Sequence, residues 1–108
     1  MDFRGEIITL DVGGKIFRTT QKTLTRQPDS LLAKMFGPPN YHNLYRPSTP
    51  EMKDGAYFLD LDPRGFEVIL GYLRHNIKIL PLGVHIMTVQ VLAEQLDINL
   101  GDKPFFKE

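Results

Sequence analysis

Ile8-Thr9-Leu10-Asp11-Val12-Gly13-Gly14-Lys15-Ile16-Phe17-Arg18-Thr19-Thr20 decides how this chain is read. Two extended runs flank a Gly-Gly pair, the composition of a two-residue hairpin turn whose central positions require positive φ. Facing Val12 with Lys15 sets Leu10 beside Phe17 and Ile8 beside Thr19. Ile8, Leu10, Val12 and Phe17 then share one face, while Thr9, Asp11 and Arg18 fall on the other. The second face is polar and built of groups able to pair with a neighbour. Such a hairpin opens a scaffold for binding and does not by itself point to catalysis.

Beyond the hairpin, Thr20 caps a short helix over residues 21–26, and Gln27-Pro28 turns the chain. Asp29 or Ser30 caps Leu31 to Phe36, which Gly37-Pro38-Pro39 stops. From Gly37 to Asp54 the chain is rich in proline, with no hydrophobic period, and reads as a long loop of functional or mobile character. Asp54-Gly55 returns it to order, and Ala56 to Asp60 reads as a third strand. Next comes the strongest helix signature: Asp62 as N-cap, Pro63 at the first helical position, and Phe66, Ile69, Leu70 and Leu73 on one stripe. Arg74, His75 and Asn76 close it with a basic last turn and a left-handed cap. Residues 77–80 are too short a run to assign. Pro81-Leu82-Gly83 precedes a second helix over residues 84–96, with Val89, Leu92, Ala93 and Leu96 inward. Residues 99–108 read as a tail or linker.

At 108 residues and 42% hydrophobic content, the chain is the size of one domain. Thirteen basic and thirteen acidic side chains cancel, which argues against a nucleic-acid surface and against a membrane-surface module. Near-zero charge also leaves self-association without strong electrostatic opposition. There is no cysteine, so disulfides, thiolate catalysis and cysteine-ligated zinc are excluded. No apolar run reaches transmembrane length, and Met1 to Glu6 lacks a signal-peptide core, so an intracellular, cytoplasmic domain is expected.

Familiar chemistry is sought and mostly not found. Gly13-Gly14-Lys15 fails as a phosphate loop, because Thr9 stands where the first glycine belongs and Ile16 follows the lysine. His42, His75 and His85 have no ligand spacing, and no metal or cofactor is expected. Asp60 and Asp62 suggest paired carboxylates, but Asp62 is better explained as a cap ahead of Pro63. With no nucleophile elbow either, no enzymatic activity is expected. Tyr41 and Tyr45 sit in a loop that cannot build its own core. They either fold back on the domain or form part of a partner-binding patch.

The ordered set Ile8 to Gly14, Phe17-Arg18-Thr19-Thr20, Thr23-Leu24, Pro28 to Leu32, Met35-Phe36, Asp60-Leu61-Asp62-Pro63, Phe66 and Ile69 to Arg74 resembles a known family. It is similar to the BTB/POZ tetramerisation domain of the potassium-channel-tetramerisation-domain (KCTD) proteins. The resemblance spans about residues 6 to 98. It implies an α/β (α+β) domain, a small three-stranded mixed sheet packed against about four helices. It also implies homo-oligomeric rings, a homo-tetramer or homo-pentamer; the charge balance adds the expectation of no nucleic acid and no direct membrane contact. Many KCTD proteins act as adaptors that bind cullin-3 through this domain and deliver substrates to a ubiquitin ligase. Related domains set tetramer assembly in voltage-gated potassium channels, the alternative reading. The segment Tyr72-Leu73-Arg74-His75 looks more like the KCTD branch. Leu61 stands where the family usually has Arg, and Leu92-Ala93 and Gln95-Leu96 replace its usual Glu-Ala and aromatic residues.

A ring of identical copies requires a flank for self-association, expected here from Thr9, Asp11, Arg18, Asp60, Arg64 and Arg74. The resemblance places the cullin contact around the long loop and the neighbouring helix end. Phe36, Tyr41, Leu44, Tyr45, His75 and Asn76 are its candidates.

Overall fold

The computed structural model describes residues 6–37 and 52–108. Strands β1 (Ile7–Val12) and β2 (Lys15–Thr20) form the antiparallel hairpin. Its register sets Val12 opposite Lys15, Leu10 opposite Phe17 and Ile8 opposite Thr19, as the glycine pair predicts. Gly13 and Gly14 have φ of 56° and 99°, the positive values a primed two-residue turn needs. Gly13 is required for a second reason: a Cβ there would lie 2.4 Å from the Leu61 carbonyl oxygen.

Helix α1 (Gln21–Leu24) starts where the Thr20 hydroxyl accepts the Thr23 N–H, 3.2 Å away. It ends two residues earlier than the expected Arg26. The Thr25 hydroxyl donates back to the Gln21 carbonyl at 2.8 Å, closing the turn locally. Of the two candidate caps for α2 (Leu31–Phe36), Ser30 is the one used; its buried hydroxyl accepts the Ala33 N–H.

The chain then supplies β3 (Met52–Lys53) and β4 (Ala56–Leu59), joined by a turn at Asp54-Gly55, both with positive φ. β4 runs parallel to β1, and the sheet order is β2-β1-β4-β3. The sheet is mixed as expected, with a fourth, two-residue strand at its edge. β3 falls inside the stretch expected as loop. Its pairing with β4 follows from the Asp54-Gly55 turn, not from any hydrophobic alternation of its own.

Helix α3 (Pro63–His75) begins at the Asp62 cap and ends at Asn76 in the left-handed conformation, φ 56°. Its stripe of Phe66, Ile69, Leu70 and Leu73 is buried in one core with Leu10, Val12 and Phe17 of the sheet and with Leu24 and Leu32. Phe17 meets Phe66 edge to face at 5.3 Å. Each such side chain contributes about 1.5–3 kcal/mol when removed from water. Helix α4 (Ile86–Gln95) starts two residues later than expected, because His85 is its cap and accepts the Met87 N–H at 3.0 Å. α3 and α4 touch at Gly65, where a Cβ would come within 3.2 Å of Leu92 and Thr88 side-chain carbons.

The unassigned run before Pro81 contains β5 (Ile79–Leu80), paired in parallel with β6 (Phe106–Lys107). Residues 99–108 therefore pack along the domain. Gln27 clamps them through two bonds with the Asn99 main chain, at 2.7 and 2.8 Å. Lys78, 8% exposed, donates to the Lys103 carbonyl and lies over the Phe105 ring.

Candidate functional site

The outer face of the sheet follows from hairpin register. Pairs next to a two-residue turn are hydrogen-bonded, and bonded and non-bonded pairs alternate from there. Thr9 faces Arg18 and Asp11 faces Ile16 in non-bonded pairs. Asp11 also neighbours Phe58 on β4. A single row across the sheet thus reads Ile16, Asp11, Phe58. Ile16 is 56% and Phe58 48% exposed, with Ile7 exposed further along β1. The face expected to be polar is a charged centre between two exposed apolar side chains. Ile16 belongs to this face by the same register that selects Asp11, its partner across the hairpin.

Asp11 has a local task. Its carboxylate accepts the Gly14 N–H at 2.9 Å and braces the turn. Beside it, Ile16, Met52, Lys53, Asp54, Ala56 and Phe58 line a broad recess. Lys15, one step around the hairpin, pairs with Glu67 of α3 at 3.0 Å.

Arg18 and Arg74 come together from distant parts of the chain. Arg18 lies in a non-bonded pair on edge strand β2, so its carbonyl points away from β1. The Arg74 guanidinium, on the last turn of α3, donates to that carbonyl. Both residues line one cleft with Ile7, Thr19, Thr20 and Thr23. No carboxylate among the described residues pairs with either arginine.

Asp60 is exposed after β4, and Arg64 binds Asp62 at 3.3 Å. That contact with Arg64, side chain first and main-chain N–H next, holds the Asp62 carboxyl below the usual carboxylate range. Asp60 and Asp62 therefore have different surroundings. Among the described residues no group of three or more His, Asp or Glu could hold a metal ion.

Among the cullin-contact candidates, Tyr41, Leu44 and Tyr45 lie outside the described residues. Phe36 is 5% exposed and its ring packs edge to face on Tyr57 at 5.3 Å. It packs in the core, where the apolar ring fills the space between α2 and β4. His75 and Asn76 are exposed at the end of α3. His75 lines a groove with Val68, Gly71, Ile77, Ile79 and Pro81. No helix among the described residues is long and apolar enough to cross a membrane.

These elements match known proteins. The family model of the BTB/POZ domain matches residues 8–97. The human "BTB/POZ domain-containing protein KCTD9" is 37% identical over 90 residues, covering 82% of this chain and 22% of the relative. The rat "SH3KBP1-binding protein 1" is 42% identical over 81 residues, covering 75% of this chain and 10% of the relative. The Arabidopsis thaliana "FH protein interacting protein FIP2" is 42% identical over 72 residues, covering 66% and 22%. The chain spans between about a tenth and a quarter of these relatives' lengths. A mixed sheet against four helices, matched from β1 to the end of α4, is a protein-interaction and self-association module. The chain belongs to the BTB/POZ family and is a domain of the KCTD type.

Proposed function

We propose that this domain assembles identical copies into a closed ring of four or five subunits and acts there as an adaptor for cullin-3 ubiquitin ligase in the cytoplasm, with no catalytic chemistry of its own. The family match over residues 8–97, together with the KCTD9 relatives, carries the reading. Head-to-tail docking of one flank onto a different flank closes a ring when the rotation per subunit divides a full turn. Exposed charge pairs contribute only about 0–1 kcal/mol each. The apolar neighbours of Asp11, Ile16 and Phe58, add burial that such pairs lack.

Charge reversal at Arg18 tests assembly. Its side chain is exposed and bonds to no other described side chain, so Arg18→Glu is expected to leave the fold intact and reduce the mass measured by light scattering. Equal masses for wild type and variant would remove Arg18 from the contact. The adaptor reading is tested by calorimetry against the cullin-3 N-terminal region. Micromolar binding is expected, weakened when His75 and Asn76 are both replaced by Ala. No heat at micromolar concentration would leave an assembly domain without this partner.

A further inference from the structure

Lys78 stands where strand alternation calls for an apolar side chain. It precedes β5 and is buried like Leu80 two residues on, while Ile79 between them is exposed. A cation taken out of water is costly unless it is paired. Yet no carboxylate among the described residues pairs with Lys78; their ion pairs are Lys15–Glu67 and Asp62–Arg64. The ammonium faces the Lys103 carbonyl and the Phe105 ring, whose centroid is 4.8 Å away. It has three donors, so the carbonyl leaves capacity for a further acceptor. The same lysine lines a cavity of about 390 Å³ between β5, α4 and the 99–108 segment. Small-molecule sites have volumes of about 300–1,000 Å³. Leu80, Ile86, Leu100 and Phe105 give this one an apolar wall. Lys103 and Lys107 line it too, against a single acid, Asp102, which forms an ion pair with none of the three lysines.

We infer that this cavity binds a small molecule with a carboxylate on an apolar body, the acid meeting Lys78 and the hydrocarbon lying on Leu80, Ile86 and Phe105. A bare inorganic anion would leave the apolar wall wet. A neutral hydrocarbon would leave the buried ammonium without a counter-charge. A short chain ending in a carboxylate answers both, through a charge-assisted hydrogen bond and apolar burial. The inference rests neither on self-association nor on cullin binding.

Hexanoate is the probe, at constant ionic strength. Acetate carries the acid without the chain, and hexanol the chain without the acid. Titrations follow the backbone amide resonances of Leu80, Ile86, Leu100 and Phe105 by NMR. Hexanoate is expected to shift all four along one saturating curve and to bind about tenfold or more tightly than either control. Lys78→Met keeps an apolar stem and removes the charge, so it should lower hexanoate affinity to that of hexanol. Should this variant fail to fold, the contrast among the three probes on wild type decides alone. Hexanoate affinity equal to that of either control, or no saturable shift around the cavity, would overturn the inference. So would a folded Lys78→Met that binds hexanoate as wild type does.

Discussion

A methyl group at Gly13 would stand 2.4 Å from the Leu61 carbonyl oxygen, whereas one at Gly14 would meet nothing within 4 Å. Both residues have positive φ, so both Ala variants carry backbone strain of about 1–3 kcal/mol. Only Gly13→Ala must also push the 59–62 segment off the turn, breaking the Gly13 N–H bond to the Leu59 carbonyl. Gly13→Ala is therefore expected to lower the urea midpoint clearly more than Gly14→Ala, and equal losses would contradict this packing. Asp62 makes a different residue-scale test. Removing the cap in Asp62→Ala should cost about 0.5–2 kcal/mol, while Asn retains most of it. Because Arg64 depresses the folded-state pKa of Asp62, its ionic contribution is present above the unfolded value, about 3.9. It is lost as pH falls through the folded one. Denaturation curves of wild type and Asp62→Asn should thus converge as pH drops below about 4, and a constant gap would exclude the Arg64 contact as its source.

At the scale of elements, legibility followed sequence distance. The hairpin register was readable because Gly13-Gly14 admits one pairing, and α3 because cap, proline and apolar stripe agree. β5 was not, since two residues make a strand only when Phe106 and Lys107 arrive from the far end of the chain. The packing of residues 99–108 was hidden for the same reason. Its clamp, Gln27 to Asn99, looks in sequence like two unrelated amides. Gln27→Ala should leave the core helices intact and accelerate hydrogen exchange at the Asn99 and Phe106 amides, both of which donate to described acceptors. Unchanged exchange at both would show that Lys78 and the β5–β6 pairing hold the segment without the clamp. The site was partly legible. Asp11 and Arg18 followed from alternation, but their meaning changed with neighbours from other elements. Ile16 and Phe58 made an apolar row around one, and Arg74 from α3 joined the other at a separation of 56 residues.

For the whole molecule, assembly and stability are linked by mass action. A species that forms only from folded copies stabilises the folded state more as concentration rises. In a ring of four or five, each tenfold increase in protein adds roughly 1 kcal/mol per subunit, from RT ln 10 shared around the ring. For a domain of this size that raises the melting temperature by about 4–8 °C. The charge balance of the chain puts no long-range repulsion in the way. Wild type is therefore expected to melt at a concentration-dependent temperature, and Arg18→Glu at a nearly constant one. The comparison separates two causes that a single melting temperature confounds, since a folding defect lowers the curve at every concentration while an assembly defect flattens its slope. A wild-type melting temperature unchanged across two decades of concentration, at a mass equal to one subunit, would mean that the flanks of this sheet do not join copies to one another.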